Sequence, residues 1–181
     1  MKKGLLALAC MFMLLSCNDT AKDDNADNVG TAADKDKDEQ SKRYSQNTRE
    51  VYKAIETGDV SKLDSFIAKD VVDHEGNNGK DVVGLDSLKH YLGKMHTFFD
   101  GLKMEVLSEG TSPDGEYHFT MVRMRGKAKE NPWGMPVGAD IDDTGVDVVK
   151  VKDGLATEHW GFMSMKDIYE MMPPPGAPKK K

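Results

Sequence analysis

The sequence predicts an α+β domain in which helices come first and a mostly antiparallel sheet follows. Apolar residues recur at helical spacing up to about residue 99, and the period becomes that of strands after Gly101. Turn signals at 113–115 (Pro-Asp-Gly) and 153–154 (Asp-Gly) separate the strands. Strands joined in this way form a meander, and a long curved sheet packed on helices leaves a concavity between the two layers.

Three helices are expected before the sheet. The first ends at Gly58, the second follows the capping residue Asp59, and the third runs from about 85 to 99. Their apolar stripes consist of Tyr44, Thr48, Val51 and Ile55 in the first, Leu63, Phe66 and Ile67 in the second, and Leu85, Leu88, Leu92, Met95 and Phe99 in the third. These stripes are expected to cover one face of the sheet.

The strands are predicted from β-prone runs between turn signals. A short strand at 71–74 comes before the third helix. Four more follow that helix, at 102–107, 116–125, 141–151 and 155–165. A loop at 130–138 joins the second and third of these four, and a short last helix at 165–172 ends at three prolines.

The first forty residues predict a membrane anchor. Lys2 and Lys3 precede an apolar run, 5–15, that is too short to cross a bilayer as a helix. Leu-Leu-Ser-Cys at 14–17 resembles the lipobox of bacterial lipoproteins, which implies cleavage before Cys17 and acylation of its thiol. An ordinary leader with a chance cysteine is the alternative. The lipobox resemblance favours a protein anchored by lipid in the cell envelope, at the outer membrane or cell surface of a Gram-negative bacterium.

Composition sets the expected domain boundaries. Residues 18–40 are almost all Asp, Asn, Lys, Ala and Thr, which predicts a disordered tether because little apolar area is there to bury. The expected segments are a signal peptide at 1–16, the lipidated cysteine and acidic tether at 17–40, the folded domain at 41–172, and a disordered Pro/Lys tail at 173–181.

Charge and cysteine usage exclude several classes of function. The formal net charge is −6 and no basic stripe is present, which argues against a nucleic-acid partner. Both cysteines, Cys10 and Cys17, precede the folded part, so no disulfide is expected there. The five histidines form no close ligand pair, and no glycine-rich phosphate loop is present. We therefore expect neither a metal site nor a cofactor.

The hairpin at 146–164 carries a recognisable pattern. Asp147, Lys150, the turn at 153–154 and Glu158-His159-Trp160 resemble the C-terminal hairpin of the SnoaL-like proteins, a branch of the nuclear-transport-factor-2-like superfamily. The strand at 71–74, followed by an amphipathic helix, is similar to an earlier part of that family. The resemblance implies a cone-shaped α+β barrel with a pocket between sheet and helices. Members include polyketide cyclases, isomerases, dehydratases and proteins that only bind.

Two residues depart from the family pattern. In the cyclases a carboxylate four positions after the Trp acts as general acid/base, and that position here is Ser164. The residue directly after the Trp, an Asp in the pattern, is Gly161. Serine cannot replace a carboxylate in proton transfer near neutral pH, so the resemblance implies the fold more strongly than the cyclase activity.

Strand alternation provides the expected site. It places Glu158, Trp160, Phe162 and Ser164 on one face of the last strand and His159 on the other. We expect the first set to face the cone, with Trp160 and Phe162 as an apolar wall and Glu158 as a partly buried carboxylate. The alternative is a Trp160 that is only core and a Glu158 that is only paired. His74 is expected at the pocket mouth, where it binds a polar ligand group or relays a proton, or else is a structural histidine that donates to a backbone carbonyl. Asp73 is expected on the surface.

The remaining expected site residues come from other elements. The predicted pocket comprises Trp160, Phe162, Ser164, His118, Trp133 and Tyr91, and the predicted catalytic pair is Glu158 with His74. Which way His118 points depends on a register that the sequence does not define. Trp133, Met135 and Pro136 are expected to form a lid or to pack on their own domain.

Three functions are compatible with these patterns. The favoured hypothesis is a binding module with an apolar-walled pocket for a small organic ligand. The rival is an acid/base enzyme, resembling a polyketide cyclase or isomerase, that uses Glu158 and His74. The third is a homodimer formed through the outer face of the sheet, with an idle pocket.

Overall fold

The computed structural model describes residues 32–76, 79–130, 135–164 and 166. Within them, two α-helices pack against one sheet. Helix α1 spans Ala32–Thr57 and helix α2 spans Leu85–Met95. Helix α1 ends at Gly58, whose φ of 79° belongs to the left-handed region that glycine tolerates best. Among residues 35–57, whose burial is described, the first buried one is Tyr44, so the helix reaches the core only from about its midpoint.

Helix α1 begins earlier than the predicted domain boundary. It starts at Ala32, inside the segment predicted to be a disordered tether that ends at residue 40. Residues 35–43 on it are exposed or half-buried, and their polar composition gives no apolar period from which a helix could be predicted. The helix therefore begins well before its side chains become buried in the core.

The prediction of three helices before the sheet is wrong. The segment expected to form the second helix makes only a 3₁₀ turn, Leu63–Ser65, and a strand begins at Ile67. The third predicted helix ends at Met95, and after a second 3₁₀ turn Phe99 already belongs to a strand. Short apolar runs satisfy both the helical and the strand period, so their spacing does not decide between the two.

Six strands form one curved, unclosed, mixed sheet, which confirms the α+β class. They are β1 (Ile67–Asp73), β2 (Val82–Val83), β3 (Phe99–Thr111), β4 (Tyr117–Ala128), β5 (Asp140–Lys152) and β6 (Leu155–Met163), in the order β2-β1-β6-β5-β4-β3. Strands β3 to β6 form the expected antiparallel meander, and β1 joins its far side parallel to β6.

The hairpin of β5 and β6 turns where the sequence predicts. Asp153 and Gly154 have φ values of 53° and 81°, and positive φ at both central residues defines the type I′ turn that Asp-Gly favours. This turn pairs Lys152 with Leu155, and an irregularity between Lys150 and Val151 then shifts the register by one residue, so that Lys150 pairs with Glu158.

Several predicted features lie outside the described residues. These are the leader and Cys17, residues 18–31 of the tether, the loop residues 131–134, the last helix apart from Lys166, and the C-terminal tail. In the part of the chain that is described, no helix is long and apolar enough to span a bilayer.

Candidate functional site

From His159 onwards, the two faces of β6 are reversed relative to the prediction. His159 faces the helices, where its Nδ1 lies 3.1 Å from Oδ1 of Asp73, a residue only 3 % exposed. Trp160 therefore faces outward, and its indole stacks on the ring of His74 at a centroid distance of 4.9 Å. Phe162, on the same outer face, is 58 % exposed. The expected aromatic wall thus lies on the outside of the sheet.

A cavity of about 110 Å³ lies between the helices and the inner face of the sheet. Its walls are mostly apolar and include Val51 and Ile55 of α1, Leu88 and Leu92 of α2, and Val149 and Val151 of β5. One end is polar, because Tyr52, Asp73, Asp147 and His159 also line it. An apolar cavity with a few convergent polar groups is the usual form of a small-molecule site.

The four polar residues form one connected network. The phenol of Tyr52 donates a hydrogen bond to Oδ2 of Asp147 at 2.6 Å. His159 lies between two carboxylates: its Nδ1 is 3.1 Å from Asp73, and its Nε2 is 3.7 Å from Oδ1 of Asp147. The pairing of Asp73 with His159 between parallel strands β1 and β6, and of Asp147 with Gly161 between β5 and β6, brings these side chains together.

Charge determines the protonation of this network. Burial disfavours the charged form of His159, but Asp147 and Asp73 outweigh it and raise the pKa of His159 to about 10. Burial likewise opposes ionisation of Asp73, yet the hydrogen bond and charge of His159 lower the pKa of Asp73. Burial and the neighbouring Asp147 raise the pKa of Tyr52. At neutral pH the network therefore contains an imidazolium between two carboxylates, with a protonated phenol beside them.

Glu75 adds a third carboxyl group that the sequence analysis missed. Gly161 lies next to it, and a Cβ at position 161 would overlap the carboxyl group of Glu75. Loss of water around this group raises the pKa of Glu75, with Asp147 and Asp73 adding to the effect and His159 opposing it. The family pattern has an Asp directly after the Trp. In this chain Gly161 leaves that space free, and Glu75 brings a carboxyl group into it from the end of β1.

His118 lies on the inner face of β4 and also lines the cavity. It is 1 % exposed, and its Nδ1 is 3.1 Å from the hydroxyl of Thr111. Burial lowers the pKa of His118, so its imidazole is neutral near pH 7. Among the described residues its Nε2 has no hydrogen-bond partner.

The predicted pair Glu158 and His74 meet, but not in the cavity. Nε2 of His74 lies 3.4 Å from Oε2 of Glu158, and Lys150 donates to Oε1 of Glu158 at 2.7 Å. The hydrogen bond from Lys150 is the main cause that lowers the pKa of Glu158. Although Glu158 borders the cavity, His74 does not line it. The pair belongs to a charged cluster beside Trp160 on the outer face.

The other predicted site residues are dispersed. Ser164 is exposed just beyond β6, and Tyr91 on α2 is half-buried against the core without lining the cavity. Trp133 lies outside the described residues, whereas Met135 of the expected lid is 5 % exposed and belongs to the core. Asp73, predicted on the surface, is instead buried at the polar end of the cavity.

Three side chains at the polar end could approach a metal ion. Ligand atoms of Glu75, Asp147 and His159 lie within 4.8 Å of one another. No sequence pattern indicates this group, because Glu75 is far from Asp147 and His159 along the chain. A metal would require the neutral imidazole of His159, whereas the flanking carboxylates stabilise the protonated form. In the residues described, the protonated His159 is thus a better hydrogen-bond donor than a ligand.

The chain was compared with known families and structures. The family model described as the SnoaL-like domain matches residues 48–159. A comparison with curated protein sequences returned no significant match. TsrD from Streptomyces laurentii is similar, with 15 % identity and a TM-score of 0.61 over 72 % of this chain and 94 % of that chain. SalBIII, an epoxide hydrolase/cyclase-like enzyme of pyran ring formation, has 17 % identity and a TM-score of 0.56 over 72 % and 96 %.

A third similar structure is Bal32a, from a soil-derived mobile gene cassette. It has 16 % identity and a TM-score of 0.59, and the match covers 74 % of this chain and 99 % of that chain. At identities this low, likeness between structures establishes the fold alone.

Proposed function

Because the chain belongs to the SnoaL-like domain family, we propose that its cavity binds a small, largely apolar organic molecule. The observation that carries this proposal is an apolar cavity whose one polar end is formed by Tyr52, Asp73, Asp147 and His159. Apolar walls supply affinity, and a few placed polar groups supply orientation.

The size of the cavity limits the ligand. Its volume is about 110 Å³, whereas an engineered cavity of about 150 Å³ accepts benzene. A single ring or a branched chain of similar size fits, and a polycyclic skeleton would have to extend out of the cavity. This supports a ligand smaller than a fused-ring polyketide.

Filling the cavity tests this proposal. Val149 lines the cavity, and Val146 of the same strand is 36 % exposed on the opposite face. We expect at least one of benzyl alcohol, benzylamine and benzoate to bind the full chain in ligand-observed NMR, and Val149→Trp to abolish that binding. The matched control Val146→Trp should retain it. Probe binding that survives in Val149→Trp, or no binding of any probe, would reject the proposal.

The second candidate function is acid/base catalysis on the bound molecule. The network in the cavity favours it, because Asp147 can accept a proton while the neighbouring His159 imidazolium stabilises developing negative charge. The phenol of Tyr52 holds the carboxyl group of Asp147 in place. In this hypothesis, Asp147 and His159 take the catalytic roles that were predicted from the sequence for Glu158 and His74. A suitable reaction is removal of a proton from the carbon next to a carbonyl group.

Hydrogen exchange of cyclohexanone tests the catalytic function. In D₂O, NMR would follow the replacement of the hydrogens next to the carbonyl. We expect the wild type to accelerate exchange and Asp147→Asn to lose about 10²-fold or more of that acceleration, as for removal of a general base. Asp142→Asn, on the same strand but exposed and paired with Arg123, is the control. Equal rates in all three proteins would remove this candidate.

We further propose that the protein is anchored in the cell envelope by lipid on Cys17. The charged start, apolar run and Leu-Leu-Ser-Cys at 14–17 support this. Cells fed an alkyne analogue of palmitate should label the wild type and Cys10→Ser but not Cys17→Ser. Equal labelling of both variants would contradict the proposal.

Exposed apolar side chains on the outer face of the sheet support a homodimer, in which the partner is a second copy of the chain. Phe119, Met121, Val146 and Phe162 are 40 %, 43 %, 36 % and 58 % exposed. Strand pairing places Met121, Val146 and Phe162 in one row, and Phe119 beside Val148 and Trp160 in the next. A contiguous exposed apolar surface of this kind is typical of a protein interface. The oligomeric state in solution tests this proposal.

A further inference from the structure

The polar end of the cavity carries more negative than positive charge. Among the described residues that line the cavity, neither Lys nor Arg occurs. Asp73 and Asp147 contribute two carboxylates, and His159 contributes one positive charge. His118 does not balance the difference, because burial lowers its pKa and keeps it neutral. One negative charge therefore remains without a counterion at this end of the cavity, and an unpaired charge that is only 21 % exposed is destabilising.

The other charged groups nearby do not change this count. Glu158 is neutralised from the outside by Lys150 at 2.7 Å. Glu75 either adds a further negative charge or, where its raised pKa keeps it protonated, adds none. Arg43 lies over the ring of Tyr44 and beside Gly154 at the hairpin turn, roughly 20 Å along the strand from Asp147. The excess at the polar end is thus at least one negative charge in every case.

Asp147 also has an oxygen that is open to a ligand. Its Oδ2 accepts the hydrogen bond of Tyr52 at 2.6 Å. Its Oδ1 lies 3.7 Å from Nε2 of His159, which is too long for a hydrogen bond. Asp147 lines the cavity, so a donor group on a bound molecule has an acceptor oxygen available there.

We propose that the ligand of this cavity is an organic cation, a small amine whose ammonium group is bound by Asp147 while its hydrocarbon part fills the apolar walls. The inference rests on the proposed function of the cavity and specifies its ligand class. An ammonium group supplies the missing positive charge and up to three donors. An alcohol supplies a donor without the charge, and a carboxylate would add to the excess negative charge.

A matched series of single-ring probes tests the inference. Benzylamine, benzyl alcohol and benzoate differ in their charged or polar group and little in size. With the full chain at pH 7, titration calorimetry should give benzylamine an affinity at least about tenfold above that of benzyl alcohol, as expected for a charge-assisted hydrogen bond, and no binding of benzoate. In Asp147→Asn the ratio of amine to alcohol affinity should fall towards one, and in the control Asp142→Asn it should stay unchanged.

The outcomes separate the two proposals. Equal affinities of wild-type protein for benzylamine and benzyl alcohol would overturn the amine inference and leave the binding cavity in place. Failure of every probe to bind would overturn both. Displacement of bound benzylamine by Zn²⁺ or Mn²⁺ that requires Glu75 and His159 would reassign the site to a metal. If Asp147→Asn does not fold, Asp147→Thr removes the same charge with a residue suited to a strand, and an unchanged ratio in it would overturn the role of Asp147.

Discussion

A single methyl group at position 161 would collide with the carboxyl group of Glu75. Those atoms are the end of an exposed, flexible side chain that can turn away, so we expect Gly161→Ala to lower the free energy of unfolding by about 1 kcal/mol or less, the low end of the cost of overpacking. Urea unfolding measures the change. The control is Gly110→Ala on β3, where an added Cβ would meet nothing within 4 Å. Removing the opposing carboxyl group in Gly161→Ala/Glu75→Ala should restore part of the loss, and equal midpoints for wild type and Gly161→Ala would contradict the packing.

The imidazolium of His159 predicts how stability depends on pH. The pKa of His159 rises from 6.5 in the unfolded chain to about 10 in the folded state, so its stabilisation is complete below pH 6.5 and is lost as the pH rises towards 10. Each pH unit in that window costs at most about 1.4 kcal/mol, and less here because 26 % of the side chain is exposed.

The variant His159→Gln provides the comparison for this pH dependence. It should unfold more easily than the wild type near pH 6, and the difference should shrink by pH 10. Asp73 acts at the acid end: its pKa is lowered from 3.8, so its contribution is present above pH 3.8 and is lost as the pH falls below it. Urea midpoints measured from pH 3 to pH 10 test both signs. If the urea midpoints of wild type and His159→Gln changed in parallel from pH 6.5 to 10, the assignment of a protonated His159 in the folded state would be wrong.

At the scale of elements, helix α1 divides into an exposed and a buried half. Residues 35–43 are exposed or half-buried, whereas Tyr44 is 4 % exposed. A chain that begins at Ser41 loses mainly the exposed hydrogen bond of Lys37 to Pro113 and the partly buried hydrogen bond of Gln40 to Tyr44. We expect this truncation to cost about 1 kcal/mol. A chain that begins at Ser45 also loses the buried ring and should cost about 3 kcal/mol more. Equal unfolding midpoints for the two truncations would contradict this division.

The sequence predicts which segments form helices and strands better than it predicts which face of a strand is buried. Strands β3 to β6 and helix α2 were predictable because long runs with one period and Asp-Gly turns leave few alternatives. Strand β2, with two residues, and the 63–67 segment are too short for a period to decide. Alternation also showed that Glu158 and Trp160 share a face, but not which face is buried. That depends on the parallel pairing of Asp73 with His159 across 86 residues of sequence.

The candidate site was predictable only in its location. The hairpin at 146–164 supplies Asp147, Val149 and His159 to the cavity, and a sequence pattern pointed to that hairpin. Tyr52 and Asp73 were missed because each lies in a run that looks like ordinary core or surface, and their role arises from partners distant in sequence. One local signal existed: Gly161, small where the family pattern has an Asp, marks a place where another side chain could enter.

At the scale of the molecule, the sheet separates two different surfaces. Its inner face closes an apolar cavity with a charged end, and its outer face exposes Phe119, Met121, Val146 and Phe162. A monomer in water would hold these apolar side chains in solvent, at roughly 25 cal/mol for each Å² that association could bury. A second copy related by a two-fold axis would present the same patch and bury both surfaces at once.

We therefore expect the full chain to be a dimer in light scattering, and Phe162→Glu to make it a monomer, because the substitution places a charge in the centre of the apolar rows. Val137→Glu is the matched control: Val137 is 70 % exposed but lies between β4 and β5, away from the sheet face. It should leave the dimer intact. A monomeric wild type at all concentrations, or equal dimerisation of both variants, would exclude this face as the interface. Because the cavity lies on the opposite side of the sheet, Phe162→Glu should bind benzylamine as the wild type does, and this comparison separates assembly from ligand binding.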